Sequence, residues 1–239
     1  YLQGIGRRQR QMCIRDSIDG GADDEVTMNR NTDSFNDCDL VPNILNSVGE
    51  PDLKTEVFGT KMDMPIFLSP TAMQSLYHPD GDKASARAAE KFGTIYSMST
   101  MASFSIEEIA NLSSGPKIFQ LYIHKDQSIT DDLIERCKRA NFNGMCITVD
   151  TIVAGNRERD HRTGFTTPPK FTLDSLMSFA MRPQWVFNYF TNKKFELANL
   201  KDKVEKGTNI AQSVMGYINE QYDPAMNWKD AEYLSLIHI

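Results

Sequence analysis

The chain has 239 residues, enough for one large domain or two small ones, and 40% are hydrophobic, so it can build a core rather than remain disordered. Its 26 basic against 32 acidic residues give a net charge of −6, which argues against a nucleic-acid surface, where a clustered basic face is needed. Four widely spaced cysteines without a C-x-x-C pair read as reduced thiols of an intracellular protein, cytoplasmic or mitochondrial, and no apolar run reaches the ~18 residues of a spanning helix.

Residues 1–17, YLQGIGRRQRQMCIRDS, are arginine-rich, lack a helical apolar stripe and match nothing downstream. A transit peptide fits that composition, but the preferred expectation is a foreign-looking leader, with SLIHI at 235–239 a foreign-looking tail. From Ile18 the chain changes character. Gly20 and Gly21 mark a turn, and Asp23 to Glu25 supply acids suited to a helix start. Leu53–Phe58 and Met64–Leu68, on either side of the Gly59-Thr60 turn, are predicted strands.

The run from Pro65 to Thr100, PIFLSPTAMQSLYHPDGDKASARAAEKFGTIYSMST, organises the rest. Pro65–Leu68 reads as a buried strand, and the small residues Ser69 to Ala72 let a flat ligand approach the backbone. The His78-Pro-Asp-Gly turn leads into a predicted helix over Lys83–Phe92, stopped by Gly93, and Thr94–Met98 is the next strand. Ser105-Ile-Glu-Glu is a capping box for a helix reaching Leu112. Lys117–Ile123 is the third strand, Ile129–Ala140 a helix with a 3.6-residue apolar period, and Gly144–Val149 the fourth strand, ending at Asp150. Core strands starting near 65, 94, 117 and 144 with helices between them favour a (β/α) barrel, although a doubly wound sheet has the same local pattern.

Beyond Asp150, Thr151–Phe165 is a polar loop, and Leu173, Leu176, Met177 and Ala180 form a short stripe closed by Pro183. Trp185, Phe187, Tyr189 and Phe190 suit either packing over a barrel mouth or contact with a membrane surface, packing being preferred because the flanking charges form no basic face. Ile210, Val214 and Ile218 mark one more helix, and Asn227 is placed to cap the last, WKDAEYL.

SPTAMQ, HPDGD and ARAAEKFGTIYSMST, followed by FQLY and TVDT, closely resemble the FMN-dependent L-2-hydroxy acid dehydrogenase and oxidase family. That resemblance, from about Ile18 to about Leu234, implies a TIM (β/α)8 barrel of which about the first four βα units are present, hence a partial domain over 18–234. It implies FMN as cofactor, a small 2-hydroxy acid as substrate and a homo-oligomer when full length.

In such a barrel the site forms at the C-terminal ends of the strands. Pro70, Thr71, Ala72, Ser99, Gln120 and Thr148 match the family's flavin contacts; their neutral donors and acceptors suit the polar edge of the ring. Tyr122 resembles the tyrosine whose hydroxyl faces the substrate, and Arg157 matches an arginine that contacts its carboxylate or the developing charge. Asp150 matches the aspartate that pairs with a proton-abstracting histidine. That histidine belongs to an H-G-G-R-Q motif absent here, as are the strand-five lysine and the glycine-rich phosphate site, and Ser17 stands where a substrate-contacting tyrosine is expected. His78, His124, His161 and His238 lack the motif's context.

The expected function is FMN-dependent oxidation of a small L-2-hydroxy acid. L-lactate is favoured because GNRERDHRTGF and the following TPP look more like lactate-oxidising members; truncation here implies inactivity of the chain alone. The alternative is a non-catalytic half-barrel serving as an interaction module or pseudoenzyme.

Overall fold

The computed structural model describes residues 19–45, 49–150, 155–159, 187, 191, 197–201 and 221–236. Two compact units divide them. One draws on the described residues between Tyr1 and Asp52 and between Gly155 and Asn188, the other on those between Leu53 and Ala154 and between Tyr189 and Ile239.

In the first unit, helix α1 (Val26–Asp33) runs into a 3-10 turn, Ser34–Asp37, and buries none of its residues. Glu25 precedes it with φ 59°, and its carboxylate accepts from the Gly21 amide at 3.1 Å and pairs with Arg159 at 2.5 Å. The acid expected to favour the helix start therefore bonds outward, fastening the glycine turn to segment 155–159. The Asp23 amide bonds to the Asn156 carbonyl at 2.9 Å, with Asn156 Nδ2 donating back to Asp23 Oδ1 at 3.0 Å.

The second unit opens with a hairpin, β1 (Thr55–Val57) against β2 (Thr60–Met62), joined by Phe58 and Gly59, both at positive φ. Two left-handed residues are what a tight two-residue hairpin turn needs. The strand after this turn is thus Thr60–Met62 and not Met64–Leu68. The expected buried strand over Pro65–Leu68 contracts to one residue: Leu68 donates its amide to Ile95 and accepts from the Ser97 amide, both at 3.1 Å. Pro65 has no N–H for a ladder, and Ile66 stays 65% exposed and Phe67 40%.

Helix α2 (Gly81–Lys91) follows, its alanines Ala86 and Ala89 buried. Gly93, at φ 60°, ends it as expected. Its amide bonds to the Glu90 carbonyl and that of Thr94 to the Ala89 carbonyl, the paired bonds of a Schellman stop. A Cβ at Gly93 would strike the Asp63 carboxylate, so no other residue fits there without movement. Strand β3 (Tyr96–Ser99), helix α3 (Ile106–Leu112), strand β4 (Lys117–Leu121), helix α4 (Gln127–Arg139) and strand β5 (Gly144–Ile147) then alternate. The Ser105 capping box is present in full: the Glu108 amide bonds to Ser105 Oγ at 3.1 Å and the Ser105 amide to Glu108 Oε2 at 2.9 Å.

The three strands form a parallel sheet in the order β3-β4-β5, with Ser99 opposite Gln120 and Gln120 opposite Cys146. Tyr96, Met98, Phe119 and Leu121 pack with Ile106, Ile109, Leu133, Ile134 and Cys137 in one core, as the apolar periods of α3 and α4 require. Arg136 of α4 grips Glu107 of α3 through two bonds of 2.7 Å and reaches Asn199, whose side-chain oxygen accepts from the Ile106 amide. Helix α5 (Trp228–Leu236) is capped by Asn227, whose Oδ1 accepts from the Lys229 amide while Asp230 accepts from the Asn227 amide. The stripes at 173–180 and 210–218 lie outside the described residues. Of the aromatic run, Phe187 is described and is exposed.

Candidate functional site

All three parallel strands point their C-terminal ends the same way, and a polar side chain stands at or beside each end: Ser99 last on β3, Gln120 next to last on β4 and Thr148 just after β5. The Ser99 hydroxyl donates to Gln120 Oε1 at 3.1 Å, and Gln120 Nε2 donates to Thr148 Oγ1 at 2.5 Å. One hydrogen-bonded row therefore runs across β3, β4 and the residue after β5. The parallel register makes this possible, because it sets Ser99 level with Gln120 and brings the Thr148 amide onto the Leu121 carbonyl at 3.0 Å. Ser99 and Gln120 are buried and Thr148 half-buried.

Thr100 secures the same end from below. Its hydroxyl donates to the Gln120 carbonyl at 2.6 Å and accepts from the Tyr122 amide at 3.3 Å. The Met101 amide bonds to Ser99 Oγ at 3.1 Å, closing the loop after β3 back onto the row. Thr100 is not among the residues that the resemblance marks. The signal was its place in YSMST beside Ser99, where a strand-end threonine supports its neighbour's backbone.

Pro70 and Thr71 are exposed and Ala72 half-buried. The Thr71 hydroxyl bonds locally, to the Ser69 carbonyl at 3.4 Å, so it takes no part in the row. The loop is nevertheless fixed to the strand ends: the Met73 amide bonds to the Met101 carbonyl at 3.0 Å and the Ser75 amide to Ser103 Oγ at 3.1 Å. Gly81 permits this, since a Cβ there would come within 2.9 Å of the Ser75 amide.

Beneath this loop sits Asp82, fully buried, which sequence reasoning did not single out. It accepts from the Tyr96 hydroxyl and the Ser103 amide, each at 3.0 Å. Burial raises its pKa above the usual carboxylate range, opposed by those hydrogen bonds, and burial likewise pushes the Tyr96 phenol upward. A buried acid inside HPDGD was the available clue, because an aspartate at a helix start is ordinarily solvated.

Tyr122 is half-buried and its ring lies stacked on Tyr222, centroids 4.4 Å apart and planes 16° from parallel. Asp150 is exposed two residues beyond Thr148. His124 is buried against the Tyr222 ring edge, and burial lowers its pKa to about 4, so it is a neutral core histidine. Arg157 is half-buried in the other unit, on the segment held to the Gly20-Gly21 turn. The structure thus gathers Ser99, Gln120 and Thr148 into contact, sets Tyr122 next along β4, and leaves Thr71 apart.

The row suits the polar edge of a flat heterocycle. It carries no formal charge, the Gln120 amide has a second N–H, and the Thr148 hydroxyl, accepting from Gln120, keeps its own hydrogen to donate. These donors and acceptors fit the carbonyl and N–H edge of a flavin. Among the described residues no cluster of His, Cys, Asp and Glu is arranged to hold a metal, and no helix is long and apolar enough to cross a membrane.

Comparison with known proteins accords with this chemistry. Glycolate oxidase 1 of Oryza sativa subsp. indica is 35% identical over 235 residues, 98% of this chain and 58% of that protein. L-lactate dehydrogenase of Allorhizobium ampelinum is 35% identical over 229 residues, 95% of this chain and 60% of the relative. The crystal structure of the monotopic membrane protein (S)-mandelate dehydrogenase superposes with a TM-score of 0.90 at 27% identity, covering 99% of this chain and 62% of that one. The chain therefore spans about three fifths of the length of the curated relatives it matches, and its three parallel strands with intervening helices are consistent with part of a (β/α) barrel. Residues 7–237 match the family model of the FMN-dependent dehydrogenases, and it is to that family that the chain belongs.

Proposed function

We propose that the protein carrying this chain oxidises a small L-2-hydroxy acid, L-lactate by preference, to the corresponding 2-oxo acid. The observation that carries the reading is the Ser99–Gln120–Thr148 row, an uncharged hydrogen-bonding edge assembled from three adjacent strand ends. Bound FMN would take up the two electrons released when the hydroxy acid becomes the oxo acid. Ser99, Gln120 and Thr148, together with the backbone of Pro70, Thr71 and Ala72, would hold the ring edge.

Tyr122 offers its hydroxyl to the substrate, and Arg157 neutralises the substrate carboxylate, a role for which a guanidinium fork is suited. Asp150 favours the charged form of the histidine that removes the hydroxyl proton. In the family pattern that histidine lies in the H-G-G-R-Q motif, which these 239 residues do not contain. The leaning toward lactate rests on GNRERDHRTGF and the prolines after it, since the relatives include glycolate-, lactate- and mandelate-oxidising enzymes. The fold we infer is a (β/α)8 barrel whose first four units begin at Leu68, β3, β4 and β5.

The test is anaerobic reduction of the flavin in the full-length natural protein, offered L-lactate, D-lactate, glycolate and L-mandelate. Fastest bleaching with L-lactate is expected. Bleaching by D-lactate alone, or by none of the four, would overturn the reading.

A further inference from the structure

We propose that Tyr222 is a positioning residue, a ring support that fixes the Tyr122 side chain at the substrate end of β4. The inference rests on the reading of Tyr122 as the residue that faces the substrate.

Beyond β4, residues 221–223 meet the chain at an isolated antiparallel bridge. The Lys125 amide bonds to the Gln221 carbonyl at 2.9 Å, the Asp223 amide bonds to the Ile123 carbonyl at 3.1 Å, and His124 and Tyr222 form the bridge between them. Tyr122 and His124 both meet the Tyr222 ring. It lies flat on Tyr122 at 4.4 Å between centroids and stands edge-on to His124 at 5.4 Å and 87°.

The support is anchored more firmly than the residue it holds. Tyr222 is 5% exposed and His124 1%, whereas Tyr122 is half-buried. The His124 amide is bonded to Thr130 Oγ1 of α4 at 3.1 Å, which ties the bridge to a buried helix position. On the backbone side, Thr100 holds the Tyr122 amide. The Tyr122 backbone is thus fixed by Thr100, just after β3, and its ring by Tyr222. Without a stacked partner, a half-exposed tyrosine ring samples other χ1 wells, and its hydroxyl moves by several ångströms with each one. A small hydroxy acid presents few atoms to bind, so a displaced hydroxyl is felt as weaker substrate binding.

The experiment uses the full-length FMN-loaded protein and a kinetic double-mutant cycle, with steady-state kinetics on L-2-hydroxy acids and flavin content measured for every variant. Tyr222→Leu is expected to raise KM on the order of two- to tenfold, the range to which one aromatic pair's stacking corresponds, with kcat and flavin content little changed. Tyr222→Phe, which keeps the ring, is expected to restore the parental KM. In the Tyr122→Phe background, Tyr222→Leu should add nothing to KM, because the hydroxyl it positions is gone. Should Tyr222→Leu fail to fold, Tyr222→Ile, whose branched side chain suits the extended bridge, carries the same expectations.

An unchanged KM in Tyr222→Leu, or effects of the two substitutions that simply add, overturns the inference while leaving the reading of Tyr122 intact. If Tyr122→Phe itself leaves KM and kcat unaltered, the reading of Tyr122 fails, and the inference falls with it.

Discussion

Gln120 donates its side-chain amide to the Thr148 hydroxyl across the ends of two neighbouring strands, and the same amide's oxygen receives Ser99 from the third. A single side chain therefore sets the spacing of the edge to which the flavin is assigned. Gln120→Leu leaves the Ser99 and Thr148 hydroxyls without their shared partner, a loss of about 1–3 kcal/mol where such groups stay dry. Weakened FMN retention on a desalting column is the expected outcome in the full-length protein. Full retention would count against the assignment.

Asp150 follows Thr148 by two residues and is exposed, so replacing its carboxylate opens no cavity in the core. Asp150→Asn is therefore expected to leave the fold and FMN content intact while slowing substrate-dependent flavin reduction by orders of magnitude, through loss of the charge that favours an imidazolium. Stopped-flow reduction by L-lactate at the parental rate would remove Asp150 from the mechanism.

Asp82 separates charge from hydrogen bonding. Its carboxylate is buried and its pKa raised, so the folded state gains stability as pH falls through the raised pKa toward the ordinary carboxylate range. Asp82→Asn can accept from the Ser103 amide with its oxygen and donate its N–H to the Tyr96 oxygen, and is expected to be near neutral at pH 7. Asp82→Leu strands both partners and should destabilise by about 1–3 kcal/mol. Urea unfolding of the two variants distinguishes these outcomes.

His124 carries the opposite sign. Burial holds its folded pKa near 4 against an ordinary value of 6.5. Above about 6.5 its contribution is complete. Below that, the unfolded imidazole takes up a proton that the folded one refuses, and stability falls, by up to about 1 kcal/mol per pH unit, until about pH 4. His124→Phe keeps a ring against Tyr222 but cannot charge, so its unfolding midpoint should vary less between pH 7 and pH 5. An equal slope in both proteins would show that other groups set the acid sensitivity.

The sequence was most legible where local chemistry and periodicity agreed. Gly93, the Ser105–Glu108 box, the Asn227 cap and the apolar period of α4 all behave as read, because each is decided within one turn of helix. The strand-end row was legible as residue types in SPTAM, FQLY and TVDT, but its hydrogen bonding was not, since it depends on parallel register between segments more than 20 residues apart. Pro65–Leu68 misled because an apolar run says nothing about whether a neighbouring strand is there to bury it. Glu25 misled for a related reason: the acid suited to a helix start found Arg159, 134 residues away, a stronger partner than the helix dipole.

The chain taken by itself should associate and should not turn over. Leu68 joins the outer side of β3 through one residue, with Ile66 and Phe67 exposed beside it, and at the far edge Val149, two residues beyond β5, is 63% exposed. Within the described sheet, β5 pairs with β4 on one side, so both margins present backbone groups and apolar side chains together, the combination that recruits further strands. Turnover is expected to fail for a separate reason. The groups assigned to the ring edge, Ser99, Gln120 and Thr148, are present, but acid–base chemistry needs a histidine at the proton, and His124 is buried in its neutral form against Tyr222. Residues 18–234, expressed alone and offered FMN and L-lactate without oxygen, should elute as assemblies by size-exclusion chromatography and leave the flavin oxidised. Bleaching at an enzymic rate would show that a base is present among these residues, and His78 or His161 would then have to be tested by substitution.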